Sequence, residues 1–103
     1  MTFLSLNIEK NCLVQQKNFL EYQEMIYSSQ YNEVTEEMTE YLTANEDGSY
    51  DNVIAALQSE QQIYDAKKNS IESQLEVINA EIDGYSKAVT NNIKSTCKLT
   101  LSA

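Results

Sequence analysis

The sequence predicts an all-α protein, an antiparallel two-helix hairpin with coiled-coil-like packing, and three observations predict it. The 103-residue chain has no proline and only two glycines, Gly48 and Gly84, so the turns that a sandwich or barrel requires lack their residues. Apolar residues recur through the second half at alternating steps of four and three, as in a helix packed lengthwise on another. One short segment, "ANEDGSYDN" at 44–52, gathers the turn formers. The length suits a single domain, 1–103, with one modest core.

The first helix is placed near 10–44. Leu13, Leu20, Tyr27, Tyr31, Val34, Met38 and Tyr41 share one face, and Phe19, Tyr22 and Ile26 are expected to widen it. The tyrosine rings would cover the core while their hydroxyls reach its rim. A loop at 45–50 follows, and Ser49 or Asp51 is positioned to cap the next helix.

The second helix is placed near 51–97. Stepping back from Val89 gives Tyr85, Ile82, Ile78, Leu75, Ile71, Lys68, Tyr64, Gln61 and Leu57, apolar except at Lys68 and Gln61. Those two read as polar positions that fix register. Glu60, Asp65, Glu72, Glu76, Glu81 and Asp83 fall between the steps and form the polar face. Ile82, Tyr85 and Val89 keep phase across Gly84, whose cost of about 1 kcal/mol relative to Ala a packed seam absorbs. The alternative is a three-helix chain with a break at Gly84.

With the turn centred near Gly48 and the first helix starting at residue 10, Leu13 lies level with residue 84. The chain from Tyr85 to Leu101 then overhangs and needs a cover. The N-terminal "FLSLNI" is one candidate and a second chain is the other. The predicted interaction surface is therefore Ile71, Leu75, Ile78, Ile82, Tyr85, Val89 and Ile93, and the predicted partner is another helix or the same chain as a homo-oligomer. The expected function is that of a non-enzymatic interaction or structural protein.

Composition excludes several classes. Sixteen acids against seven lysines give a net charge of −9, which repels phosphate backbones and argues against nucleic acid as a partner. Lys87, Lys94 and Lys98 form a basic C-terminal stretch suited to a helix C-terminus and too sparse for an anionic membrane. No stretch approaches the ~20 apolar residues of a membrane span. "MTFLSLNIEK" lacks the charged and apolar regions of a cleaved secretory signal, so the chain is expected in the cytoplasm or exported without one. Catalysis lacks its usual inventory: there is no histidine and no arginine, so no catalytic residue and no cofactor is assigned.

The turn carries part of the pattern of a calcium loop at 43–54. Gly48 as the sixth position puts Asn45, Asp47 and Asp51 on ligand positions, but Thr43 and Ile54 stand where terminal carboxylates are required. A weak cation-binding module is thus an alternative to a plain turn with helix caps. Glu33, Glu36, Glu37 and Glu40 form an acidic ladder read as a solvated face; without histidine it cannot complete a dinuclear bundle site. Cys12 and Cys97 are too few for a disulfide framework, and pairing them needs the N-terminal segment folded along the overhang.

The hairpin plan, the length, the acidity and the missing signal resemble small helical proteins exported by bacterial secretion machines. At "DGSYD" the Trp-x-Gly hairpin proteins of type VII secretion carry a tryptophan, where this chain has Gly48 and Tyr50. "VTNNIKSTCKL" is similar in general character to the terminal coiled-coil segments of type III needle and filament subunits. The resemblance implies a further alternative, an exported filament or effector-like subunit, and assigns no residue a role.

Overall fold

A computed structural model of the protein describes the backbone of residues 2–102 and the side chains of residues 2–94. The described chain is a helical hairpin of two elements, α1 (Phe3–Ala44) and α2 (Asp51–Ser102). α2 runs through Gly84 without interruption, which settles the choice between two helices and three. By internal contacts the chain resolves into two compact units, Glu21–Ser73 and Met1–Leu20 with Gln74–Ala103.

The unit Glu21–Ser73 contains the turn. Asp47 Oδ1 accepts the Ser49 N–H at 3.0 Å and Asn45 Oδ1 accepts the Tyr50 N–H at 2.9 Å, so short polar side chains replace the backbone partners that a turn removes. Gly48 adopts φ +79°, the left-handed conformation that a side chain disfavours. Asp51 lies in the first turn of α2, where an acid complements the helix dipole. Tyr41 and Tyr50 meet edge to face at 5.2 Å between ring centroids and close the hairpin above the turn.

Farther from the turn, polar and aromatic contacts join the helices of this unit. Gln61 Nε2 donates to Thr35 Oγ1 at 2.9 Å, and Thr35 Oγ1 donates to the Tyr31 carbonyl at 2.8 Å. Gln61 thus has the interhelical bond expected of a register-fixing residue. Tyr27 and Tyr64 pack with centroids 6.4 Å apart, and Lys67 Nζ lies 5.4 and 5.9 Å from the two rings. Val34, Leu57 and Ile71 are the buried apolar residues of this unit.

In the other unit the N-terminus departs from expectation. α1 begins at Phe3, because Thr2 caps it: Thr2 Oγ1 accepts the Ser5 N–H at 3.2 Å and the Thr2 carbonyl accepts the Leu6 N–H at 3.0 Å. "FLSLNI" therefore continues the first helix, and Leu6 is only 5% exposed. The Tyr85 hydroxyl donates to Glu9, so α1 already reaches the point where the overhang was expected to start. Carrying that pairing six positions along each helix sets Phe3 level with Asn91. The uncovered part of the ridge shrinks accordingly, with Val89 half-buried and Ile93 46% exposed. α2 itself extends to Ser102, beyond the expected 97, so its last turn carries no lysine.

Candidate functional site

The predicted interaction surface is mostly spent within the chain. Ile71 is 4% exposed, Leu75, Ile78, Ile82, Tyr85 and Val89 are half-buried, and only Ile93 is open. Every seam position from Leu57 to Val89 is covered, Gln61 and Lys68 included. The same spacing on α1 runs through Leu6, Lys10, Leu13, Lys17, Leu20, Glu24, Tyr27, Tyr31, Val34, Met38 and Tyr41, all buried or half-buried. The two helices thus cover one face of each other.

Exposed apolar residues lie on the outer side of α1, which the reading of a single widened face missed. Phe19 and Tyr22, expected to broaden the covered face, are 60% and 57% exposed; Ile26 alone of the three is half-buried. Leu20 follows Phe19 directly, and adjacent residues stand about 100° apart on a helix, so the two cannot share a narrow seam. Leu4, Ile8 and Met25 are also exposed on α1, as are Val53, Ile63 and Val77 on α2. The signal was present in the sequence as a second heptad-like spacing, Leu4, Ile8, Gln15, Phe19, Tyr22 and Ile26, in the gaps of the first.

The turn's oxygen atoms are engaged in shaping the chain. Asp51 Oδ1 accepts from Asn45 Nδ2 at 2.8 Å, while Asp47 and Asn45 hold backbone N–H groups. The Ser49 hydroxyl, then its backbone N–H, hold the Asp47 carboxyl below the usual carboxylate range. Among the described residues no three His, Cys, Asp or Glu side chains converge as a metal cluster.

An open groove of about 330 Å³ lies beside the Glu9–Tyr85 contact, lined by Glu9, Cys12, Leu13, Gln16, Glu81 and Tyr85. The hydrogen bond to Glu9, and the Glu9 charge behind it, raise the Tyr85 hydroxyl above the ordinary tyrosine range. Cys12 is an exposed free thiol, whereas the Cys97 side chain lies outside the described residues. Lys87 pairs with Asp83 one turn back at 3.0 Å, an exposed contact of small energetic weight. Among the described residues no helix is long and apolar enough to cross a membrane.

Comparison with known protein families, curated sequences and solved structures gives no match for this chain.

Proposed function

We propose that this chain is a non-enzymatic interaction or structural protein that acts by coiled-coil-type packing, with itself or with a helical partner. One observation carries the reading. Among the described residues only Leu6, Leu20, Val34, Leu57 and Ile71 are buried apolar side chains, while twelve large hydrophobic residues are exposed. On α1 the exposed Leu4, Ile8, Phe19 and Tyr22 fall on one side of the helix, and an exposed apolar stripe of that kind supports an interaction surface. The lack of histidine and arginine supports a role without catalysis.

Sedimentation equilibrium of the full chain tests the self-packing form. The expected result is a mass that is a multiple of 11.7 kDa at micromolar concentration. A fully helical monomer throughout that range overturns self-packing.

A further inference from the structure

We infer that Asp47–Gly48 is a site of covalent self-modification, where the Gly48 backbone nitrogen closes on the Asp47 side chain and the residue becomes isoaspartate. The chemically identical pair Asp83–Gly84 is held inert by its helix. The inference is independent of what packs on the hairpin.

The chain has two glycines, and an aspartate precedes each. Such a pair holds the parts of a five-membered ring: the glycine nitrogen attacks Cγ, and the missing Cβ leaves that approach open. Asp47, Gly48, Asp83 and Gly84 are all exposed, so access to water does not separate the two pairs. Backbone conformation does.

Asp83 and Gly84 lie in the interior of α2. There the Gly84 N–H belongs to the helical hydrogen-bond ladder, and the Asp83 carboxylate reaches one turn onward to Lys87 at 3.0 Å. Closing the ring would take Asp83 out of its helical ψ and open the ladder around it. Asp47 and Gly48 lie between α1 and α2, outside both ladders. Asp47 Oδ1 accepts the Ser49 N–H at 3.0 Å, and to make that bond the side chain folds forward along its own backbone, past the Gly48 nitrogen. The Ser49 N–H also points at the oxygen on which negative charge gathers when Cγ is attacked. A fixed donor at that place lowers the barrier to acyl substitution.

The chemistry needs only water. The Gly48 nitrogen bonds to Cγ and gives up its proton, and one oxygen of the protonated carboxyl departs as water, leaving a succinimide. Water then opens the ring at either carbonyl. Addition at Cγ restores aspartate. Addition at the Asp47 main-chain carbonyl breaks its bond to the Gly48 nitrogen, so the chain now runs through Cβ and Cγ. One water leaves and one enters, with no oxidant or reductant. The product lengthens the turn by one main-chain atom and removes the side-chain acceptor of the Ser49 N–H.

The experiment incubates the full chain at physiological temperature in mildly acidic buffer, folded and in guanidinium chloride. After trypsin cleavage, isoaspartate is read by an isoaspartate-specific methyltransferase with labelled S-adenosylmethionine. The lysines place Asp47 in peptide 18–67 and Asp83 in peptide 69–87. In the folded chain the label in 18–67 should exceed that in 69–87 by about tenfold or more, and the ratio should fall toward one in denaturant. Asp47→Glu, whose longer side chain does not close the five-membered ring, should remove the 18–67 label. Should that variant unfold, the same comparison is made in denaturant, where the parent chain labels 18–67. Equal label in both peptides of the folded chain, or label in 18–67 that survives Asp47→Glu, overturns the site. Label that forms in denaturant and not in the folded chain means that the turn shields Asp47, and overturns the inference as well.

Discussion

Gln61 Nε2 donates a 2.9 Å hydrogen bond to Thr35 Oγ1, and these two part-buried polar groups, 26 residues apart, sit inside an otherwise largely apolar and aromatic contact. The bond joins a specific rung of α2 to a specific rung of α1. A one-step slip of either helix would strand both groups, and a buried donor or acceptor without a partner costs about 1–3 kcal/mol.

The first prediction concerns that pair. Gln61→Leu alone and Thr35→Val alone should each destabilise the chain by about 1 kcal/mol, and the double substitution should cost less than the sum of the two. Urea unfolding of the four chains gives the coupling energy, and strict additivity would show that the bond contributes nothing to register.

Gly48 and Gly84 should respond to alanine in opposite directions. At Gly48 the positive φ and the Asp51 carboxylate, 3.2 Å from the position a Cβ would take, make Ala costly by about 1 kcal/mol or more. At Gly84 nothing lies within 4 Å of an added Cβ, and the residue is mid-helix. Gly84→Ala should therefore stabilise by about 1 kcal/mol. Thermal melts of the two variants should shift to opposite sides of the parent.

Gln30 should be improvable. Its Oε1 is buried with no hydrogen-bond partner. Gln30→Met keeps the length of the side chain, removes the unmatched acceptor and should raise stability by about 1 kcal/mol. A loss on urea unfolding would mean that the amide has a structural use.

The pH dependence should show two separable contributions. Asp47, with its carboxyl held low by Ser49, contributes stability above its unfolded value of about 4 and loses it as pH falls through the folded value. Tyr85, raised by Glu9, contributes below about pH 10 and loses that contribution as pH rises through its folded value. The stability difference between parent and Asp47→Asn should narrow on the acid side, and that between parent and Tyr85→Phe on the alkaline side. Parallel curves would show that neither contact differs between folded and unfolded chains.

Much of the inner packing was legible because alternating three- and four-residue steps have one geometric meaning in a long helix. Leu57 to Val89 all fall on the covered side, even Lys68, and Gly84 did not break the run. The start of α1 was less legible. Thr2 is a good cap, but Ser5 replaces the acid that usually marks a capping box, and Ser5 and Asn7 alternate with apolar residues rather than falling at helical spacing. The reading of Phe19 and Tyr22 failed for a different reason. A second apolar stripe on the same helix looks like a broad single one when residues are counted by spacing alone, and only the position of α2 separates the two. The overhang expected beyond residue 84 followed from the late start given to α1; with Glu9 beside Tyr85, Ile71 is buried, Leu75, Ile78, Ile82, Tyr85 and Val89 are half-buried, and Ile93 is exposed.

The tyrosine clasp at the turn also orders the acquisition of this structure. Tyr41 with Tyr50 closes a short loop, Thr35 with Gln61 a longer one, and Tyr27 with Tyr64 one longer still. Because loop-closure entropy grows only logarithmically, each rung formed makes the next a small addition rather than a distant search. The chain is thus arranged to fasten like a zip whose slider starts at Gly48, so that damage near the clasp should slow closing, while damage near Leu6 should hasten opening.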